Sequence, residues 1–272
     1  MNTQRLLENL ATYAEIGALP NGGVERLALS STDKQARDMF KKQMLEAGLD
    51  VKVDEIGNMF GIRKGTSALP AVMIGSHLDT VGNGGKFDGS LGVLAALEII
   101  HTLNERNLTT KRPIIIANFT NEEGVRFTPD MMGSLVFSRQ YLVDKAYQSK
   151  AIDGSGTLLA YELDKIGYKG KLKCGSLNID YFLELHIEQG PILEKENIPV
   201  GIVESLQGIS WTEFIFYGES NHAGTTPLAY RKDAGLAAVA LATYINESVR
   251  TKGGNQVGTV GIIEMFPNQI NV

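Results

Sequence analysis

The stretch Ala71-Val72-Met73-Ile74-Gly75 is an apolar run closed by a glycine, and it reads as a short buried strand that stops at Gly75. The polar run Ser76-His77-Leu78-Asp79-Thr80 and a glycine-rich loop follow it. A helical pattern then spans residues 90–103, with Leu91, Leu94, Leu97 and Ile100 on one face. Pro113 opens a second apolar run, Ile114 to Phe119, which ends in Thr120-Asn121-Glu122-Glu123-Gly124. Strand, helix and strand in this order predict an α/β fold: a mostly parallel sheet with helices on both faces.

Outward from this unit, helical spacing recurs at residues 6–13 and 33–47, the latter closed by Gly48 as a C-cap. Residues 50–63 alternate as two strands joined by a turn at Gly57-Asn58. Residues 146–173 carry only scattered helix and loop signals, and 181–187 read as the next strand. After Gly208 the pattern changes to a strand at 209–217, an alanine-rich helix at 232–249 and a strand at 256–266. This shift predicts a domain of residues 1–207 and a second, α+β, of residues 208–272.

Composition narrows the function classes. The 272 residues are 43% hydrophobic, as in ordinary globular proteins, and include 30 glycines, above the usual ~7%. Lys+Arg 26 against Asp+Glu 31 leave a net charge of −5, so no basic surplus serves nucleic acid or an anionic membrane. A lone cysteine, Cys174, excludes a disulfide framework and a cysteine-rich zinc cluster, and with no acid–base partner motif beside it is expected to be inert. The N-terminus has no unbroken apolar core, and the apolar runs are far too short to span a bilayer. A cytoplasmic chain is expected, with neither membrane nor nucleic acid as partner. Gly84-Gly85 lacks the following Gly-Lys-Ser/Thr of a phosphate loop.

The chemistry-bearing residues gather where the strands end: His77 and Asp79, then Asp88-Gly89, then Glu122-Glu123, then Glu184-Leu185-His186-Ile187-Glu188. Ligand sites of open α/β sheets lie at these carboxyl ends. Two histidines with several carboxylates form a nitrogen–oxygen set suited to Zn²⁺, Mn²⁺ or Co²⁺. Each piece also has a plain structural reading. His77 and Asp79 can pair locally at a strand end, Asp88 can cap the next helix, Glu122-Glu123 can be solvated, and His186 can be a core histidine. The convergence of four such clusters favours a metal site. Adjacent Glu122 and Glu123 can divide the work, one toward metal and the other toward substrate or water.

The ordered segments Gly75-Ser76-His77-Leu78-Asp79-Thr80, Gly84-Gly85-Lys86-Phe87-Asp88-Gly89, Asn121-Glu122-Glu123-Gly124-Val125-Arg126-Phe127 and Leu185-His186-Ile187-Glu188-Gln189-Gly190-Pro191 resemble the amidase, hydantoinase/carbamoylase family. Asn221-His222-Ala223-Gly224-Thr225-Thr226-Pro227 and Pro267-Asn268-Gln269-Ile270-Asn271-Val272 extend the resemblance over the whole chain. This family includes N-carbamoyl-L-amino acid hydrolases and allantoate amidohydrolases, within the dinuclear-metal superfamily of aminoacylase and carboxypeptidase G.

The resemblance implies a zinc-peptidase-like α/β domain interrupted by a lid that forms homodimers, only the first half of which is present here. It implies two divalent ions (Zn, Mn, Co or Ni), with His77 and His186 on one, Asp88 bridging and Glu123 on the other. Glu122 would be the general base, Asp79 the partner of His77, and Gln189 a contact of the substrate's amide or ureido group. His222 would polarise the scissile carbonyl, in the partner subunit's site, and Asn271 would help hold the substrate. The implied activity is hydrolysis of a linear C–N bond, in an N-carbamoyl-L-amino acid or alternatively allantoate. Family members continue past Val272, where the second ion's histidine and a carboxylate-binding arginine lie. A truncated chain with an incomplete second site and little activity is therefore expected, or a non-catalytic remnant serving association.

Overall fold

A computed structural model describes residues 1–270. The chain forms two compact units, Met1–Val200 and the part from Gly201 onward.

The first unit opens with α1 (Thr3–Ala14), whose N-cap Asn2 accepts a hydrogen bond from the Arg5 N–H, and α2 (Ser31–Glu46), capped in the same way by Ser30 on Asp33. A hairpin follows, β1 (Asp50–Val53) and β2 (Met59–Arg63), and then β3 (Ala71–His77), α3 (Ser90–Glu105) and β4 (Ile114–Phe119). Three short helices come next, α4 (Met132–Phe137), α5 (Val143–Tyr147) and α6 (Leu159–Ile166). Strand β5 (Ile179–Leu183) and α7 (Ile192–Glu196) complete the unit.

The strands form one sheet in the order β1-β2-β4-β3-β5. Pairing is parallel between β3 and β4 and between β3 and β5, but antiparallel for β1–β2 and β2–β4. The sheet is therefore mixed rather than mostly parallel, because the β1–β2 hairpin joins beside β4 while the crossover through α3 keeps β3 and β4 parallel. Strand β3 runs two residues past Gly75, since Gly75, Ser76 and His77 pair with Ala117, Asn118 and Phe119. Gly75 permits this register: a Cβ there would lie 2.2 Å from the Ala117 carbonyl oxygen. Strand β5 instead ends at Leu183, which leaves Glu184 and His186 beyond it.

Every residue of the central strand β4 is buried. Ile114 and Ile116 join the main core with Phe40, Met44, Leu94 and Leu97 from α2 and α3, while Ile115 and Ala117 face Met73, Phe60 and Phe119 on the opposite side. Phe137 at the end of α4 closes that second layer, its ring centroid 5.5 Å from that of Phe60. Each such aliphatic side chain, fully buried, contributes roughly 1.5–3 kcal/mol.

The second unit is built on α8 (Ala234–Lys252), capped by Asp233 on the Leu236 N–H. The strands expected at 209–217 and 256–266 do not form: neither segment joins a ladder, and among the described residues this unit holds only the isolated bridge Glu219–Lys232. Apolar content permits an extended chain, but a strand exists only where its N–H and C=O groups meet a partner's. No helix among the described residues is long and apolar enough to cross a membrane.

Candidate metal centre

Parallel pairing of β4 and β5 with β3 places three chain ends side by side, and the turn before α3 closes over them. His77 is the last residue of β3 and is buried. Its Nδ1 lies 2.8 Å from the Asp79 carbonyl oxygen, and the Nδ1 of His186 lies 2.8 Å from the Ile187 carbonyl oxygen. A carbonyl oxygen can only accept, so both Nδ1 atoms carry the proton and both Nε2 atoms present lone pairs.

Those lone pairs converge on Asp88. His186 Nε2 is 3.2 Å and His77 Nε2 4.0 Å from Asp88 Oδ1, and the two rings stack at a centroid distance of 6.2 Å. Asp88 Oδ1 is buried and has no hydrogen-bond partner. Asp88 does not cap α3: the N-cap is Gly89, with no side-chain bond at that helix start. One donor atom from each of His77, Asp88 and His186 lies within 4.8 Å of the others. An orphaned carboxylate oxygen facing two basic imidazole nitrogens fits a divalent cation with bonds of ~2.0–2.2 Å. Gly89 makes the close approach possible, because its φ is +61° and a Cβ there would meet the His77 ring at 2.5 Å.

The remaining acids surround this group. Glu122 Oε2 is 3.4 Å from His77 Nε2. Glu122 and Glu123 are half-buried rather than solvated, and burial pushes both carboxyls upward against the opposing pull of His77. Glu123 reaches about 7, with Asp88, Asp79 and Glu122 adding to the effect of burial. Burial alone would lower the His77 imidazole, but Asp79 and Glu122 outweigh it and raise it.

Asp79 serves His77 through its carbonyl oxygen, while its carboxylate stands 4.0 Å from Nδ1. The carboxylate instead accepts the backbone N–H groups of Glu122 and Glu123, at 3.3 and 3.2 Å. Glu123 does not belong to the converging group of His77, Asp88 and His186. Gln189 donates from Nε2 to Asp88 Oδ2 at 2.7 Å.

His222 lies in a loop of the second unit. Its Nδ1 accepts from the N–H groups of Gly224 and Thr225, so this ring is protonated at Nε2 and offers a donor there. Arg231 ties the same loop through the carbonyls of Thr226 and Ala223. Asn271 lies outside the described residues.

Two contributors had no assigned role at the level of sequence. Glu184 accepts a short hydrogen bond from Ser76 Oγ, joining the ends of β5 and β3; its i, i+2 spacing from His186 was the available signal. Arg37 forms a fully buried ion pair with Asp33 and donates to Gly57 O and Thr120 Oγ1, bracing the strand end that precedes Glu122. An i, i+4 Asp–Arg pair in a sequence reads as a surface feature, which is why it gave no warning.

The model of peptidase family M20/M25/M40 matches residues 73–264. An N-carbamoyl-L-amino-acid amidohydrolase of Rhizobium meliloti is 42% identical over 100% of this chain and 65% of its own length. One from Geobacillus stearothermophilus is 40% identical over 99% of this chain and 66% of its own. The crystal structure of a hydantoinase/carbamoylase family amidase from Burkholderia vietnamiensis superposes with a TM-score of 0.87 at 36% identity, over 99% of this chain and 65% of that one. The chain thus spans about two thirds of the length of the relatives it matches. With His77, Asp88 and His186 all inside the matched span, the chain belongs to peptidase family M20/M25/M40 and is similar there to the hydantoinase/carbamoylase amidases.

Proposed function

We propose that this protein is a metal-dependent amidohydrolase that cleaves a linear C–N bond, with an N-carbamoyl-L-amino acid as its substrate. The observation that carries this reading is the approach of His77 Nε2 and His186 Nε2 to the unpartnered Asp88 Oδ1, with Glu122 beside them. The names of the similar amidohydrolases support the choice of substrate.

A divalent ion bound there supplies Lewis acidity, which polarises a carbonyl and lowers the pKa of water to about 7. His77, Asp88 and His186 would hold that ion. Asp88 would also face a second ion with Glu123, zinc, manganese, cobalt or nickel each suiting the nitrogen–oxygen donors. Glu122 accepts the proton of the attacking water and returns it to the departing nitrogen, so the C–N bond breaks after the C–O bond forms. Its burial, which raises its proton affinity, suits both halves of that transfer. An N-carbamoyl amino acid and water then give the amino acid, carbon dioxide and ammonia.

Gln189, beside Asp88, binds the ureido group. His222 would donate its Nε2–H to the developing oxyanion in the partner subunit's site, a role as electrophile rather than base that its Nδ1 acceptor bonds to Gly224 and Thr225 support. We assign the second unit, with Asn271, to a substrate-closing and dimerising lid beginning near residue 208, in a cytoplasmic homodimer.

Ammonia release from N-carbamoyl-L-amino acids, by the complete protein carrying this sequence and loaded with Zn²⁺, Mn²⁺ or Co²⁺, tests the reading. Turnover is expected, and Glu122→Gln abolishes it while metal uptake persists. Full metal occupancy without turnover of any carbamoyl or ureido compound would overturn it.

A further inference from the structure

Arg26 lies outside every motif discussed above, yet it is one of the most deeply buried side chains, at 1% exposure. All four of its side-chain hydrogen bonds go to neutral oxygens. Nε donates to Leu78 O at 2.6 Å, Nη1 to Tyr13 O and Ile16 O at 3.0 and 2.9 Å, and Nη2 to Ser90 Oγ at 3.0 Å. Its backbone is held as well: Arg26 N–H donates to Thr80 Oγ1, and Thr80 N–H donates to Arg26 O.

These acceptors are not scattered through the core. Leu78 sits between His77, a metal donor, and Asp79, whose carbonyl orients the His77 ring and whose carboxylate holds the Glu122-Glu123 turn. Ser90 opens α3, two residues after Asp88, and Gly89 between them is pressed against the His77 ring. Tyr13 is in the last turn of α1 and Ile16 lies two residues past its end, so the guanidinium holds one carbonyl of the helix and one of the segment that leaves it. A buried cation without a direct carboxylate partner is costly. Burial pushes its guanidinium below the usual arginine range, and the negative charges of Asp33 and Asp79 only partly oppose that through space.

We propose that Arg26 is a positioning residue of the metal centre, clamping the loop that carries His77 and Asp79 to the turn that carries Asp88. The inference rests on the metal reading above. Only a planar fork with five donors reaches Leu78 O, Ser90 Oγ and the Tyr13 and Ile16 carbonyls together; a lysine ammonium at the same place reaches one or two of them. The separation between His77 Nε2 and Asp88 Oδ1 is therefore set from beneath the site, by a residue that touches neither metal nor substrate. Groups that orient metal ligands typically change affinity by about 10- to 100-fold when altered.

The test is a Co²⁺ titration of the full chain, read by ligand-field absorption, alongside thermal unfolding of the metal-free chain. The variants are Arg26→Lys, Ser90→Ala and Arg5→Met. Arg26→Lys is expected to bind Co²⁺ about 10- to 100-fold more weakly and with a changed absorption spectrum. Ser90→Ala, which removes a single arm of the clamp, moves affinity and spectrum in the same direction by less. Arg5→Met breaks the distant pair with Glu98, and is expected to lower the unfolding midpoint with Co²⁺ affinity and spectrum unchanged. Wild-type affinity and spectrum in both Arg26→Lys and Ser90→Ala would overturn the proposal. If Arg26→Lys does not fold, wild-type behaviour of Ser90→Ala alone overturns it. A wild-type chain that takes up no Co²⁺ would remove the metal reading itself, and this proposal with it.

Discussion

The carboxylate of Asp79 is bonded to the backbone of Glu122: Oδ1 lies 3.3 Å from that N–H nitrogen, and Oδ2 takes the next one, on Glu123, at 3.2 Å. Asp79 therefore fixes where the proposed base stands, besides orienting His77 through its carbonyl. Hydrogen bonds to a charged group are worth about 1.5–3 kcal/mol each. Asp79→Ala, which removes both bonds, is expected to lower stability by roughly 3–6 kcal/mol in urea unfolding. It should also reduce kcat on the order of 10²-fold through displacement of Glu122. Unchanged kcat would mean that the turn holds its shape without the carboxylate.

Metal should stabilise the fold, because the donors converge only in the folded chain. At a free Zn²⁺ or Co²⁺ concentration about 100 times Kd, linkage supplies about 2.7 kcal/mol, or a rise in Tm of roughly 5–10 °C. His186→Ala and Asp88→Ala are expected to lose most of that rise, and a chelator should reverse it in the wild type. Differential scanning fluorimetry checks this, and an equal rise in His186→Ala would place the ion elsewhere.

Acid should weaken the packing of α1 on α3. Glu98 accepts from Arg5 Nε at 2.6 Å, Arg5 Nη2 at 2.9 Å and the Asn2 N–H at 2.7 Å. Burial pushes its carboxyl upward, but these partners outweigh burial and leave it below the usual glutamate value of 4.5. A depressed folded-state pKa gives stability that is present above about 4.5, the unfolded-state value, and lost as pH falls through the folded-state value. The urea midpoint of the wild type should drop below pH 4.5, with a shallower acid limb in Glu98→Gln. Parallel acid limbs in the two proteins would contradict the assignment.

Cys174 should be a poor nucleophile. Burial, helped by the negative charges of Asp54 and Glu55, pushes its thiol up to about 12, so almost no thiolate is present at neutral pH. Iodoacetamide at pH 7.5 is expected to label it slowly in the native chain and completely in denaturant. Rapid native labelling, followed by mass spectrometry, would show that the segment opens.

Much of the architecture was legible in the residues themselves. The apolar runs at Ala71–Ile74 and Ile114–Phe119, the one-sided leucines of residues 90–103 and the alternation of the β1–β2 hairpin name their own conformations, because local periodicity decides which face is buried, although β3 continues two residues past the Gly75 where that reading stops it. His77, Asp88, Glu122 and His186 could be singled out for the same reason: polar donors at the ends of buried strands are conspicuous in sequence. Periodicity is silent about partners. It could not say that β2 would lie antiparallel to β4, nor that residues 209–217 and 256–266 would pair with nothing among the described residues. Nor could it reveal that Asp79 serves His77 by its carbonyl and Glu122 by its carboxylate, or that Arg26 and Arg37 brace the site from below. Those facts depend on which backbone groups, far apart in the chain, are left to be satisfied once the sheet has closed. A buried N–H, carbonyl or guanidinium takes whatever partner the packing brings within about 3 Å, and that partner is chosen by the tertiary fold.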